Sequence, residues 1–181
     1  MGYSQAQKAE NRERILALAA AKIREDGIDA LAIGPLMEAA QLTHGGFYGH
    51  FASRDALVTA AIERALADGS TKAHARSADT IADIARSYLS RRHRDTPSEG
   101  CGIAAMAGET ARADTDSRAA MARHIAAFAD GLRPHVADDD DAMLAVSALV
   151  GALIIARVLP DAAASDRWLK GVQTATARLQ D

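Results

Sequence analysis

The stretch Thr43-His44-Gly45-Gly46-Phe47-Tyr48-Gly49-His50-Phe51 has a composition that helix propensity alone does not explain. Three of the eight residues 44–51 are glycine, which makes the segment a poor autonomous helix. Glycine lets a backbone approach a partner closely, and Phe47 and Phe51 lie four residues apart, on one face of a helical turn. The sequence therefore predicts a short helix, capped by Thr43 and anchored by two phenylalanines, with a small polar face exposed.

Two predicted helices precede this segment. Apolar residues at helical spacing predict a first helix from about residue 8 to about residue 26, namely Ile15, Leu18, Ala19 and Ile23. Pro35 suits the first turn of a second short helix, which is over by Gln41 and Leu42. Two short helices joined by a tight turn are typical of a helix-turn-helix, whose second helix enters the major groove of DNA.

The run from Ala32 to Leu57 resembles the DNA-binding signature of the TetR family. Its most specific part is the aromatic pair, then Gly49-His50-Phe51, a small residue, Ser53, a basic residue and an acid. The resemblance implies a one-component repressor, a helical homodimer that leaves operator DNA when a small molecule binds. Three positions depart from the family pattern. Ala32 stands where a Thr commonly caps the second helix, Gln41 stands where the turn usually has Gly, and Gly49 stands where a basic residue is frequent.

The DNA contacts are predicted from the exposed side of this segment. Thr43 and His44 offer a hydroxyl and an imidazole to base edges or phosphates, and Gly45 and Gly46 allow close backbone approach. By resemblance, Tyr48, His50 and Arg54 contact phosphates, although His50 is equally compatible with a half-buried histidine packed beside Phe51. Because few side chains of the segment can contact base edges directly, the shape of the operator is expected to carry part of the specificity.

The whole chain is predicted to be all-α, with about nine helices. It is 49% hydrophobic and has only 4 prolines, and it is rich in alanine. The predicted division is a helix-turn-helix DNA-binding domain over 1–54 and a helical ligand-binding and dimerisation domain over 55–181. Helices are expected from residue 54 and over 81–89, 103–112, 116–132, 138–159 and 165–179, with a polar loop over 91–100.

Charge and special residues exclude several classes of protein. A net charge of −3 argues against coating nucleic acid by bulk charge, so DNA binding must be local. One cysteine excludes an intramolecular disulfide, and the start of the chain has no signal-like core, which predicts a cytoplasmic protein. The longest uncharged stretch, Ala142–Ala156, is 15 residues, short of the roughly 20 that span a membrane. No cofactor, metal site or catalytic constellation is predicted, so the chain is not expected to be an enzyme.

Two apolar stripes predict a homodimer. One contains Met143, Val146, Val150 and Leu153, and the other contains Trp168, Val172, Ala175 and Leu179. Pairing across a two-fold axis into a four-helix bundle covers both, with Val146, Val150, Leu153, Trp168, Val172 and Leu179 at the interface. Burial of both stripes within one subunit is the alternative.

The C-terminal region is expected to hold a small apolar or aromatic inducer, because it offers methionines and aromatics rather than clustered polar groups. The candidate pocket residues are Tyr88, Cys101, Met106, Met121, Ile125, Phe128 and Met143, any of which could instead be core. Cys101 lies between two glycines near three arginines, which favours either an accessible thiolate or a small buried residue. A helical protein-interaction module without DNA binding is the second functional hypothesis, but it leaves the glycine-aromatic segment unexplained.

Overall fold

A computed structural model describes residues 4–74 and 80–180, and side-chain burial is described for all of these except 69–74 and 180. Within these ranges every regular element is helical, which confirms the all-α prediction. The α-helices are α1 Gln5–Asp26, α2 Ile33–Ala39, α3 Arg54–His74, α4 Ile81–Tyr88, α5 Arg91–Asp95, α6 Gly102–Thr110, α7 Thr115–Leu132, α8 Asp139–Val158 and α9 Ala162–Thr176. Short 3₁₀ helices span His44–Gly49, Pro97–Glu99, Arg133–His135 and Ala177–Gln180.

Side-chain caps explain where most helices begin. A Ser, Thr or Asp oxygen accepts a hydrogen bond from a backbone N–H of the first turn at Ser4, Ser53, Thr80, Ser90, Asp114, Asp138 and Asp161. Each cap satisfies one of the donors that a helix start leaves without an intrahelical partner. Ser4 is the reason that α1 starts at Gln5, earlier than the apolar spacing predicts.

Over residues 4–74 and 80–180 the number of α-helices matches the prediction, but the elements do not correspond one to one. The predicted recognition helix is a 3₁₀ helix over His44–Gly49, and Thr43 precedes it without a side-chain cap. The predicted loop over 91–100 contains α5, which Ser90 caps through the N–H of His93. Arg94 holds α5 to α9 through Ser165 and Asp166, so a tertiary contact stabilises a helix too short to be detected by periodicity.

Helix α1 connects the N-terminal helices with the rest of the chain. It packs against α2 and α3 on one side and against α6 and the Pro97–Glu99 segment elsewhere. Its buried residues Ile15, Ala19 and Ile23 join one continuous core with Leu57 and Ile62 of α3. The helix-turn-helix is therefore mounted on a helix that also contacts the C-terminal part.

Helix α8 packs against α7, α9 and α6. Within the described residues it alone is long and apolar enough to cross a membrane, and 44% of its most apolar window is already buried inside the protein. Its N-terminal turn carries Asp139, Asp140 and Asp141, and its last turn carries Arg157. These ends match the helix dipole, as the sequence predicts for the acidic run.

Candidate DNA interface

Two phenylalanines anchor the His44–Gly49 segment in the protein. Phe47 is fully buried, Phe51 nearly so, and their rings stack with centroids 5.8 Å apart. The Arg12 guanidinium of α1 lies 4.8 Å from the centroid of the Phe51 ring, a cation–π distance. The predicted anchoring role of both rings is thereby observed. The segment packs against α2, and α1 contributes the Arg12 guanidinium over the Phe51 ring.

The opposite side of the segment faces solvent. Thr43, His44, Gly45 and Gly49 are exposed, and the Tyr48 side chain is 70% exposed. A cleft of about 290 Å³ lies beside this surface, lined by Lys8 of α1 together with Leu42, Thr43, Gly45, Gly46, Gly49 and His50. The cleft therefore places Lys8, a cation outside the predicted contact set, next to four predicted contacts: Thr43, Gly45, Gly46 and His50.

The turn before the segment has a strained backbone. Gln41 has a φ of +59°, the left-handed region that glycine favours. Its N–H donates to Glu38 O and the N–H of Leu42 donates to Met37 O, both at 2.9 Å, which is the Schellman arrangement at a helix end. Arg14 of α1 adds a hydrogen bond from Nη1 to the carbonyl of Ala40. These bonds fix the turn although a glutamine occupies the glycine position.

His50 is half-buried, at the edge of the cleft. Its Nδ1 atom is buried and has no hydrogen-bond partner among the described residues. Burial lowers the pKa of His50, and the nearby charges of Lys8 and Arg12 lower it further. The imidazole is therefore neutral near pH 7 in the free protein, and an anion at the cleft would favour its charged form.

Arg54 and Glu109 hold the loop between α1 and α2 from two directions. Arg54 donates from Nε to Leu31 O at 3.2 Å and from Nη2 to Ile28 O at 3.3 Å. The Glu109 carboxylate of α6 accepts the N–H of Ile28 at 3.1 Å, beside Gly27 with its φ of +89°. Arg54 thus has a structural role beside its predicted phosphate contact, and sequence reasoning missed Glu109, which is 81 residues from its partner.

The predicted ligand residues do not form one pocket. Tyr88 stacks on Phe128 with ring centroids 5.5 Å apart. Burial raises the pKa of Tyr88 well above its usual value, and the nearby Cys101 thiol raises it further. Met106 and Met121 are buried in the core, whereas Ile125 and Met143 are exposed. The prediction that Ile125 and Met143 line an internal pocket is wrong for the single chain, because their side chains face outward.

Cys101 is only 9% exposed, which contradicts an accessible thiol. The glycines beside it serve close packing: a Cβ at Gly100 would lie 3.0 Å from Nη2 of Arg157, and one at Gly102 would lie 3.1 Å from Leu66 and Met106. The arginines expected to favour a thiolate are paired with carboxylates, since Arg91 and Arg94 bind Asp166 and Arg92 contacts Glu99. Cys101 is therefore a small buried residue beside Tyr88.

The predicted dimer residues divide into two groups. Val146 and Leu153 are buried within the chain, so the prediction that they form an interface is wrong. Val150, Val172 and Leu179 are half-buried, and Trp168 is exposed. The exposed apolar surface of α8 is formed instead by Leu144, Ile154, Ile155 and Val158, beside Met143.

The chain was compared with protein families and known proteins. Residues 15–61 match the family model of bacterial regulatory proteins of the tetR family. This range contains α2, the strained turn and the His44–Gly49 segment, together with the buried half of α1. A search of curated protein sequences finds no match.

Solved structures share the fold over nearly the whole chain. A TetR-family transcriptional regulator from Cytophaga hutchinsonii is 20% identical, has a TM-score of 0.79, and covers 99% of this chain and 98% of that one. A TetR transcriptional regulator from Chloroflexus aurantiacus is 26% identical with a TM-score of 0.75, covering 94% and 96%. The reduced form of E. coli NemR is 19% identical with a TM-score of 0.73, covering 93% and 96%.

These matches agree with the geometry of the N-terminal helices. The family model covers the helix-turn-helix, and the relatives extend the similarity of fold to the C-terminal helices. In a helix-turn-helix the second helix presents an exposed face to the major groove, and here the buried Phe47 and Phe51 hold the segment with such a face exposed. Residues 15–61 therefore match the tetR-family helix-turn-helix, and nearly the whole chain has the fold of TetR-family transcriptional regulators.

Proposed function

We propose that the chain is a cytoplasmic, ligand-responsive repressor that binds a pseudo-palindromic operator as a homodimer and is released by a small apolar or aromatic inducer. The division into a DNA-binding domain over 1–54 and a ligand-binding and dimerisation domain over 55–181 is part of this proposal, and no catalytic step is included. The observation that carries the proposal is the exposed His44–Gly49 face, anchored by Phe47 and Phe51.

The DNA contacts follow from this face and its cleft. Tyr48 is exposed beside the segment, where its hydroxyl reaches a phosphate, while Thr43, His44, Gly45 and Gly46 occupy the side that meets base edges. Lys8 and His50 on the cleft walls add a cation and an imidazole for a phosphate. Arg54 keeps its predicted phosphate contact through the part of its exposed guanidinium that faces away from the loop.

The homodimer is supported by the exposed surface of α8. Leu144, Gly151, Ile154 and Val158 recur at intervals of seven, three and four residues, and the stripe continues through Ile155. Such spacing is that of helices that cross at about 20° in a four-helix bundle. Trp168 extends the apolar surface onto α9, with the half-buried Val172 and Leu179. Pairing of α8 and α9 with a second copy would bury this apolar surface, so the apolar character of α8 needs no membrane to account for it.

The inducer is proposed to bind among the C-terminal helices. The stacked pair Tyr88 and Phe128, with Cys101, Met106 and Met121 nearby in the same core, supplies apolar and aromatic surface for it. Ligand binding must favour a conformation that does not bind DNA. A ligand with equal affinity for the DNA-binding and the non-binding conformation would leave their equilibrium unchanged.

Selection from fragmented genomic DNA, followed by gel shift against the fragments obtained, tests the proposal. Tyr48→Ala is expected to weaken binding to all fragments alike, whereas His44→Ala should change the preference among base pairs by about 1–3 kcal/mol per affected pair. Lys170→Ala, an exposed change on α9, is the control and should bind as the wild type does. The proposal is wrong if no fragment is bound more tightly than random DNA, and capture of a protein partner in its place would favour the interaction-module hypothesis.

A further inference from the structure

A cleft of about 580 Å³ lies between the end of α1, the segment 94–97, α6 and the turn from α8 to α9. Its volume falls within the range of small-molecule sites, about 300–1,000 Å³. None of the residues predicted to bind DNA or inducer lines it. The cleft is therefore a separate candidate site.

The polar end of the cleft is the Arg157 guanidinium, from the last turn of α8. Its Nε donates to Arg94 O at 3.2 Å and its Nη2 donates to His93 O at 2.9 Å. Both partners are neutral carbonyls, and Nη1 makes no hydrogen bond within the described residues. Burial lowers the pKa of Arg157, and no carboxylate is among the groups that oppose this effect. Among the described residues, Arg157 therefore carries a partly desolvated positive charge that no carboxylate neutralises.

The two other arginines of the cleft are already paired. Arg24 binds Asp68 as well as two backbone carbonyls, and Arg94 binds Asp95 and Asp166. Glu25, the remaining acidic residue of the wall, is exposed. One guanidinium is thus left to meet an anion, and the acids around it oppose a ligand with two negative charges.

The remaining walls are small and, apart from Ser165, apolar. They are formed by Pro97, by Ala104 and Ala105 of α6, by Ala156 of α8, by Leu159 and Pro160 of the following turn, and by Ala162 and Ser165 of α9. We propose that this cleft binds a monocarboxylic acid with a compact apolar body, whose carboxylate pairs with the free edge of Arg157. The guanidinium edge matches a carboxylate in geometry, and the alanine and proline walls accept the body.

The same cleft touches the joint between α1 and the C-terminal part. Arg24 donates from Nε to Ser98 O at 2.7 Å and from Nη1 to Ala65 O of α3 at 3.2 Å. A ligand in the cleft contacts the residue that fixes the end of α1 to both segments. Control of DNA binding from this site rests on the proposed function, whereas binding of the acid does not.

Calorimetric and NMR titration of the full chain, free of DNA, with benzoate and hexanoate tests the proposal. For probes of this size we expect Kd values in the millimolar range. The neutral amides benzamide and hexanamide, matched in shape, should bind at least about tenfold more weakly, because they lack the charge that Arg157 requires.

Two substitutions locate the site. Arg157→Gln removes the charge but keeps an amide donor for the carbonyls, and it should weaken benzoate binding roughly tenfold to a hundredfold. Arg167→Gln, an exposed charge removal on α9, is the matched control and should bind benzoate as the wild type does. Ala105→Phe fills the cleft without touching Arg157 and should abolish binding of acid and amide alike.

The proposal is overturned if neither acid binds saturably, if acid and amide bind equally, or if folded Arg157→Gln keeps the wild-type affinity. If Arg157→Gln does not fold, wild-type benzoate affinity in Ala105→Phe has the same consequence. Because these titrations contain no DNA, their outcome is independent of whether an operator is found.

Discussion

Gln41 is the residue at which the chain departs most clearly from local backbone preference. Its φ of +59° lies in the left-handed region, which costs a residue with a side chain about 1–2 kcal/mol relative to ordinary helical backbone. The Schellman bonds of Gln41 and Leu42, and the Arg14 bond to Ala40, hold it there. The cost is therefore stored in the turn of the helix-turn-helix.

Gln41→Gly is expected to stabilise the protein by about 0.5–1 kcal/mol, because glycine adopts this φ freely and loses only part of the gain to its more flexible unfolded state. Urea denaturation followed by circular dichroism measures the change. Ala17→Gly, at an exposed position inside α1, is the control and should destabilise by about 1 kcal/mol. Equal destabilisation by the two variants would mean that the Gln41 backbone is not strained.

His50 is expected to make stability and DNA binding respond to pH in opposite directions. Its pKa in the folded protein is lowered by burial, Lys8 and Arg12, so the unfolded chain takes up its proton first as the pH falls. The stability contribution is complete above the unfolded pKa of about 6.5 and is lost as the pH falls through the folded pKa. A phosphate in the cleft would favour the protonated form instead.

Operator affinity is therefore expected to rise between about pH 7.5 and pH 6, in the region of the histidine pKa, with uptake of protons on binding. Fluorescence anisotropy with a labelled operator fragment at constant ionic strength measures it. His50→Gln should remove most of the rise, and His44→Gln, at an exposed position of the same segment, is the comparison. An unchanged pH profile in His50→Gln would exclude a phosphate contact by this residue.

Single-residue predictions from sequence succeeded where the evidence is local. Phe47 and Phe51 are buried anchors, and Gln41 occupies the glycine position that its departure from the family pattern marked. Cys101 was ambiguous because neighbouring glycines mean either access or close packing, and only the distances from Gly100 and Gly102 decide. The charge of Arg91 and Arg94 near the thiol could not be judged without Asp166, more than seventy residues away.

At the scale of elements, the loop between α1 and α2 is held between α6 and α3. Glu109 accepts the N–H of Ile28, and Arg54 donates to Ile28 O and Leu31 O. Gly27 is required at this point by its φ of +89°, and a Cβ there would approach Glu109 Oε1 to 2.8 Å. Helix α6 is thus hydrogen-bonded directly to the loop that leads into the helix-turn-helix.

Glu109→Ala is expected to destabilise the protein by about 1.5–3 kcal/mol, because the Ile28 N–H loses a charged acceptor. Chemical denaturation measures the change in the free energy of unfolding. Faster hydrogen exchange at Ile28 and its neighbours would show that the change arises in the loop between α1 and α2. Glu63→Ala, on the exposed face of α3, serves as control and should stay within about 0.5 kcal/mol of the wild type. If Glu109→Ala loses no more stability than Glu63→Ala does, the hydrogen bond from the Ile28 N–H to Glu109 does not stabilise the protein.

Elements with strong caps or long apolar patterns could be predicted from sequence. The starts of α7 and α8 lie within one residue of the prediction, because Asp114 and Asp138 cap them. Helix α5 was predicted as loop because its five residues are polar, and its stability depends on Ser90 and on the contact of Arg94 with α9. The 3₁₀ geometry of His44–Gly49 also depends on the anchors beneath it rather than on propensity.

At the scale of the whole molecule, α8 shows why the exposed apolar surface could be predicted only in part. A helix that is apolar on most sides gives no sequence signal for which stripe meets its own core. The structure buries Val146 and Leu153 and exposes Ile154, Ile155 and Val158. Trp168 is exposed on α9, and its place in an interface stays a prediction.

Ile154→Glu is expected to weaken the homodimer at least about a hundredfold, because two charges per dimer would enter an apolar interface. Sedimentation equilibrium measures the dissociation constant. Ile125→Glu on α7 is a matched control, since the two isoleucines are 39% and 38% exposed, and it should leave the dimer intact. Equal effects of the two substitutions would contradict an interface on this side of α8.

The proposed dimeric repressor is tested by hydroxyl-radical footprinting of the selected operator, with the number of protein chains per DNA measured in the same complex. A dimeric repressor predicts two chains and two protected major-groove faces with centres roughly 34–36 Å apart, or a multiple of that distance. It also predicts that Tyr48→Ala weakens both protections equally. A single protected half-site bound at full affinity by one chain would contradict it.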